Sequence, residues 1–158
     1  METKALVRTG INRLSAMGRE ALYLRTGLDV TLPESIQCEV VERCNFKCRY
    51  CHFWRMSDYA EEMGLEEWKR ALLSLKAFVG ACSVRFVGGE PFIKRWFPDL
   101  LMFCKEHDIA WGVITNGSAL TATIVKKIVL AAPCILTFRS THPTPPPTTT
   151  SAERRVLC

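Results

Sequence analysis

Cys44-Asn45-Phe46-Lys47-Cys48-Arg49-Tyr50-Cys51 places three cysteines at gaps of three and two residues. This spacing differs from the Cys-x-x-Cys pairs of zinc ribbons and thioredoxin-like sites. The chain has eight cysteines, and the other five (Cys38, Cys82, Cys104, Cys134 and Cys158) are scattered. Those five read as small buried or incidental thiols. Clustered cysteines in a reducing compartment more often hold metal than form disulfides. The three-cysteine stretch is therefore the place to begin, and its neighbours say what carries it.

Immediately before it, Ser35-Ile36-Gln37-Cys38-Glu39-Val40-Val41-Glu42 reads as a strand that ends just short of Cys44. The cysteine loop runs on to about Asp58. A helix follows over LEEWKRALLSLKAFVG, with acidic residues in its first turn and Gly80 at its end. Cys82 to Pro91, CSVRFVGGEP, is a second strand stopped by two glycines and a proline. RWFPDLLMFCKEHD is a helix starting near Pro98, and IAWGVITNG a third strand closed by an Asn-Gly turn. LTATIVKKIVLAA is a further helix halted by Pro133, and CILTF a fourth strand. Upstream, residues 4–25 carry a helical pattern with Val7, Ile11, Leu14 and Leu22 near one face.

Strands alternating with helices of this length imply parallel pairing and right-handed crossovers. The expected fold is α/β: three βα units and a fourth strand, after one leading helix. Functional residues of such folds gather at the carboxyl ends of the strands. The cysteine loop, Gly88-Gly89-Glu90-Pro91 and Thr115-Asn116-Gly117 all fall there.

The bulk numbers agree with a globular domain. The chain has 158 residues, of which 48% are hydrophobic and 23% charged. No apolar run reaches the roughly 20 residues of a membrane span, and the start lacks the apolar centre of a secretory signal. That start is basic and amphipathic, as a mitochondrial presequence is, but Glu2 and Glu20 argue against one. The formal net charge of +5 is spread along the chain, which gives little support to nucleic-acid binding.

A cubane iron–sulfur cluster has four irons, each needing a terminal ligand, and thiolates are the usual ones. Three protein thiolates leave one iron open to a small molecule. A structural zinc site would instead need a fourth closed ligand, Cys38 or His52, and Cys38 lies too far back in the strand to close one comfortably. Phe46, Phe53 and Trp54 are expected to pack the loop onto the domain, and His52 to be solvated. Lys47, Arg49 and Arg55 read as a solvated basic face, which would also suit an acidic electron donor.

Cys44-x-x-x-Cys48-x-x-Cys51, with Tyr50 directly before the last cysteine, resembles the radical S-adenosylmethionine (radical SAM) superfamily. Gly88-Gly89-Glu90-Pro91 is similar to that superfamily's second signature. The resemblance covers residues 35–138. Within the superfamily, CNFKCRYC, GGEP and ITNG most resemble the branch of molybdenum-cofactor synthases and SPASM-type peptide maturases.

The resemblance implies a partial (β/α) barrel of which this chain carries the N-terminal part. It implies a [4Fe–4S] cluster on Cys44, Cys48 and Cys51, with S-adenosylmethionine on the open iron. Reductive cleavage would give methionine and a 5′-deoxyadenosyl radical that abstracts hydrogen from a substrate. A peptide, a nucleotide and a lipid all stay open as that substrate. Tyr50 would pack near the adenine, and Gly88 and Gly89 would let backbone approach the ligand, Pro91 completing the signature. Glu90 would accept a hydrogen bond from the ligand's ammonium, and Thr115 and Asn116 lie where the third-strand loop nears it. A low-potential electron donor such as a flavodoxin or ferredoxin, and a cytoplasmic setting, come with the family.

The resemblance also implies six βα units, and here the pattern stops at the fourth strand. Phe138-Arg139-Ser140 stands where a polar strand end is expected, and THPTPPPTTTS (141–151) holds four of the eight prolines. The organisation expected is a leading helix and linker over 1–34, the partial core over 35–138, and a disordered Pro/Thr-rich tail over 139–158. A parallel sheet cut there leaves an open edge. The change of composition in mid-fold suggests that residues from about 135 onward are read out of the ancestral frame. The other two frames after codon 134 test that expectation. Three functional readings follow: a radical SAM enzyme, a remnant that keeps the cofactor loops without turnover, and a zinc-binding interaction module.

Overall fold

The computed structural model describes residues 2–55, 61–80, 82–139 and 153–157. They fall into two units, residues 1–34 and 35–158.

The first unit is a single helix, α1 (Glu2–Thr26), followed by an extended linker. It ends as helices commonly do. Gly27 takes a positive φ of 72° and donates its N–H to the Tyr23 carbonyl at 2.8 Å.

The second unit is a five-stranded sheet in chain order. It comprises β1 (Ser35–Val41), β2 (Ser83–Gly88), β3 (Ala110–Thr115), β4 (Ile135–Arg139) and β5 (Glu153–Leu157). The first four strands pair in parallel. Parallel neighbours need a crossover, and α2 (Leu65–Val79), α3 (Phe97–Glu106) and α4 (Ala122–Ala131) supply the three. The α/β reading therefore holds element by element. Gly80 closes α2 at φ 78°, and Pro98 sits in the first turn of α3, where its missing N–H has no partner to lose. Thr121 caps α4 by accepting from Ile124 N at 3.3 Å.

The core lies between the helices and one face of the sheet. Strand alternation sends Val84 and Phe86 of β2 to that face, beside Val40 of β1 and Trp111 and Val113 of β3. Leu72 of α2 and Phe97, Leu100 and Leu101 of α3 cover them. Phe97 takes both Phe86 and Phe92 edge-to-face, at centroid distances of 5.4 and 5.1 Å. Each such side chain, fully buried, contributes about 1.5–3 kcal/mol of transfer free energy. Trp111 also donates its indole N–H to the Ala131 carbonyl (3.2 Å), which ties β3 to the end of α4.

One element departs from expectation. Glu153–Leu157, inside the stretch expected to be disordered, forms β5 and pairs antiparallel with β4, from Ile135↔Leu157 to Arg139↔Glu153. An open parallel edge presents a row of unpaired N–H and C=O groups, and a short segment ending in Val156 and Leu157 can satisfy them. The Pro/Thr stretch 141–151 lies outside the described residues, as does the last part of the expected cysteine loop, 56–60.

Candidate cluster and cofactor site

Because β1, β2 and β3 are parallel and adjacent, their carboxyl ends open onto one edge. The pairing Val41↔Gly88 sets the root of the cysteine loop against the start of Gly88-Gly89-Glu90-Pro91.

The contact there is backbone on backbone. Gly89 N donates to Val41 O (2.7 Å) and Glu90 N to Arg43 O (3.1 Å). A Cβ at Gly88 would sit 2.2 Å from the Val41 carbonyl oxygen, and one at Gly89 would sit 2.0 Å from that of Arg43. No side chain fits in that space, and Gly88 also has φ 124°. The two glycines therefore let β2 grip the stem of the cysteine loop directly.

Glu90 is fully buried. Its Oε1 accepts from Thr115 Oγ1 (2.8 Å) and Phe92 N (3.1 Å), and its Oε2 from Asn116 N (2.7 Å). A carboxylate has about four acceptor sites; two of those used here tie the β2 loop to the end of β3, and the third caps the loop's own turn at Phe92. Pro91 is buried at the start of a short 3₁₀ turn, Pro91–Ile93. Thr115, also buried, spends its hydroxyl on Glu90 and accepts from Gly117 N at 3.0 Å.

The cysteine loop is pinned at both ends. The Cys48 carbonyl accepts from Cys51 N (3.1 Å) and from the Trp54 indole N–H (2.8 Å), folding the loop over the short turn Phe53–Arg55. Arg55 lies over the Trp54 ring and donates to the Arg49 carbonyl (3.1 Å). At the return, Glu62 Oε1 accepts from Glu42 N (2.9 Å) while Oε2 pairs with the Lys94 ammonium. Burial pushes the Glu62 carboxyl up, but Lys94, the Glu42 N–H and the Arg43 charge together outweigh it. The net shift is downward.

Cys44, Cys48 and Cys51 are half-buried thiols outside any disulfide. Burial raises the Cys44 thiol, and the Phe46 N–H at 3.4 Å opposes it. A second donor, Asn116 Nδ2, lies 3.9 Å from Cys44 Sγ. Three thiols on one eight-residue loop, one of them already receiving N–H groups, suit an iron–sulfur cluster. Hydrogen bonds to sulfur are a principal control on such clusters. Among the described residues no three His, Cys, Asp or Glu side chains group tightly enough to hold a single ion. A cubane has separate irons, so its thiolates do not converge on one point, whereas the four ligands of a closed zinc site must. Cys38 lies within β1, away from the loop.

Tyr50 is 93% exposed, so it takes no part in packing the loop. Phe53 and Trp54 are half-buried as expected, while Phe46 is exposed. His52 is exposed and stacks on Phe53. The sequence reading missed Asn45, Ser118, Glu62 and Lys94. For Ser118 a signal existed: Asn-Gly-Ser at a strand end favours a side-chain turn, and Asn116 Oδ1 accepts from Ser118 N at 2.9 Å. Glu62 had none, since its partner Glu42 lies 20 residues away.

A family model described as the radical SAM superfamily matches residues 38–139, well over half of the chain. The chain belongs to that superfamily. The superfamily's cofactors are a [4Fe–4S] cluster and S-adenosylmethionine. Over 85 residues the chain is 29% identical to an S-adenosylmethionine-dependent nucleotide dehydratase of Selenomonas ruminantium, covering 52% of this chain and 30% of that protein. It is 34% identical over 89 residues to a probable GTP 3′,8-cyclase of Methanocella arvoryzae, covering 56% and 28%. In fold it is similar to Streptococcus suis SuiB bound to S-adenosylmethionine, with a TM-score of 0.52 at 22% identity over 72% of this chain and 25% of that one. This radical SAM chain thus spans less than a third of the length of these relatives.

Proposed function

We propose that Cys44, Cys48 and Cys51 ligate three irons of a [4Fe–4S] cluster and that S-adenosylmethionine binds at the fourth. When bound, these groups supply one-electron reductive cleavage to a 5′-deoxyadenosyl radical, which abstracts hydrogen from a substrate. The observation that carries the reading is the backbone clamp from Gly89 and Glu90 to Val41 and Arg43. It fixes the cysteine loop against the signature most similar to the superfamily's second one.

The chain's own residues do the holding. Gly88 and Gly89 bring two backbones within contact distance and leave their edge open to the ligand's ammonium group. Glu90 orients the β3 end through Thr115 and Asn116, and its carboxylate, fully buried here, would have to be uncovered to accept from that ammonium as well. Tyr50, fully outward, is free to swing over an adenine. Lys47, Arg49 and Arg55 are exposed beside the cysteines and would meet an acidic low-potential donor such as a flavodoxin or ferredoxin. A reducing, cytoplasmic setting accords with seven cysteines outside any disulfide among the described residues.

One observation favours a second reading, a cofactor-binding protein without turnover of its own. The antiparallel β5 occupies the β4 edge where a barrel of this family would continue in parallel. Anaerobic reconstitution with iron and sulfide, followed by dithionite and S-adenosylmethionine, separates the two. Formation of 5′-deoxyadenosine supports the enzyme, and a loaded cluster that yields none supports the second reading. Charge reversal at Lys47, Arg49 and Arg55 should slow reduction by a protein donor but not by dithionite. An unchanged donor rate removes the docking role.

A further inference from the structure

Asn45, Ser118 and Asn116 close a ring of side-chain hydrogen bonds at the mouth of the site. Asn45 Nδ2 donates to Ser118 Oγ (2.7 Å), Ser118 Oγ donates to Asn116 Oδ1 (2.6 Å), and Asn116 Nδ2 donates to Asn45 Oδ1 (2.9 Å). Each member both gives and receives, so every bond polarises the next. The ring joins the cysteine loop to the β3–α4 loop across more than 70 residues of sequence. It is anchored from below, because Asn116 N donates to the buried Glu90 carboxylate.

A primary amide carries two N–H groups. One Nδ2 hydrogen of Asn116 serves Asn45, and the other is directed to Cys44 Sγ at 3.9 Å. Resting on the cluster reading above, we propose that Asn116 is a positioning residue that sets the reduction potential of the cluster through the sulfur of Cys44. The Asn45–Ser118 ring holds its amide in place. A donor to a ligating sulfur withdraws electron density and favours the reduced cluster. The second donor at that sulfur, Phe46 N, is backbone and survives side-chain substitution. Asn116 is thus, among the described residues, the side-chain donor to the Cys44 sulfur.

The test is a spectroelectrochemical titration of the anaerobically reconstituted full chain, comparing wild type with Asn116→Leu and Ser118→Ala. Asn116→Leu removes the donor at similar volume. At the wild-type midpoint its reduced-to-oxidised ratio should fall about tenfold, equivalent to about 59 mV for a one-electron couple. Ser118→Ala keeps the donor and the Ser118 N–H bond to Asn116 Oδ1 but removes the hydroxyl that links Asn45 to Asn116, and should shift the ratio in the same direction by less. Full iron loading of Asn116→Leu with an unmoved midpoint overturns the proposal. If Asn116→Leu fails to take up the cluster, an unmoved midpoint in Ser118→Ala overturns it instead. Wild type that assembles no cluster sinks the underlying family chemistry for this chain, a separate result visible before any variant is compared.

Discussion

A methyl group at residue 89 would have to share space with the Arg43 carbonyl, 2.0 Å away. That carbonyl and the Glu42 carbonyl oxygen at 2.9 Å are both backbone, so no side chain can turn aside to relieve the contact. Gly89→Ala should destabilise the domain by about 1–3 kcal/mol, as overpacking generally does, and lower reconstituted iron content, because the loop stem moves. Thermal unfolding and iron analysis of the same preparation check both halves. Glu90→Gln poses a different problem. Its amide must present N–H groups to one or more of three donors, and an unsatisfied buried pair costs about 1–3 kcal/mol. A melting temperature equal to wild type would contradict the Glu90 network. The sequence reading found these residues but not all that they touch. A Gly-Gly pair announces missing Cβ atoms without saying which way the absent side chains would have pointed. Here they point at the chain's own backbone, so the motif builds the loop's foundation.

The elements were legible because their signals are local. Apolar spacing marks α2, Gly80 its end, and Pro98 the start of α3, each within a few residues of the feature it predicts. What joins the elements was not legible. Glu62 clasps Glu42 and Lys94, partners 20 and 32 residues away. Its carboxyl is held below the ordinary 4.5, so the clasp adds stability that is present above that unfolded value. This stability is lost as pH falls through the lower folded one. Unfolding measured from pH 7 downward should therefore show a loss in acid that Glu62→Gln reduces. The variant should already be less stable at pH 7, since Lys94 keeps its charge without a counter-ion. Equal pH profiles for variant and wild type would show that the clasp contributes nothing.

At the scale of the molecule, four parallel strands gather three loops on one edge, and the family match spans 38–139. That much was readable from alternation of strand and helix together with two short motifs. The pairing of Glu153–Leu157 with β4 was not, because the five residues carry little pattern of their own and their neighbour in the sheet is β4, across the stretch 140–152. The central claim is that three cysteines on the first of these loops hold a cluster with one iron open to S-adenosylmethionine. Electron paramagnetic resonance of the dithionite-reduced, reconstituted chain tests it most directly, with and without added S-adenosylmethionine. The account predicts a [4Fe–4S] signal whose g values change on addition and which is lost in Cys44→Ala, Cys48→Ala and Cys51→Ala. A chain that takes up no iron and sulfide, or a signal that S-adenosylmethionine leaves unmoved, would contradict it.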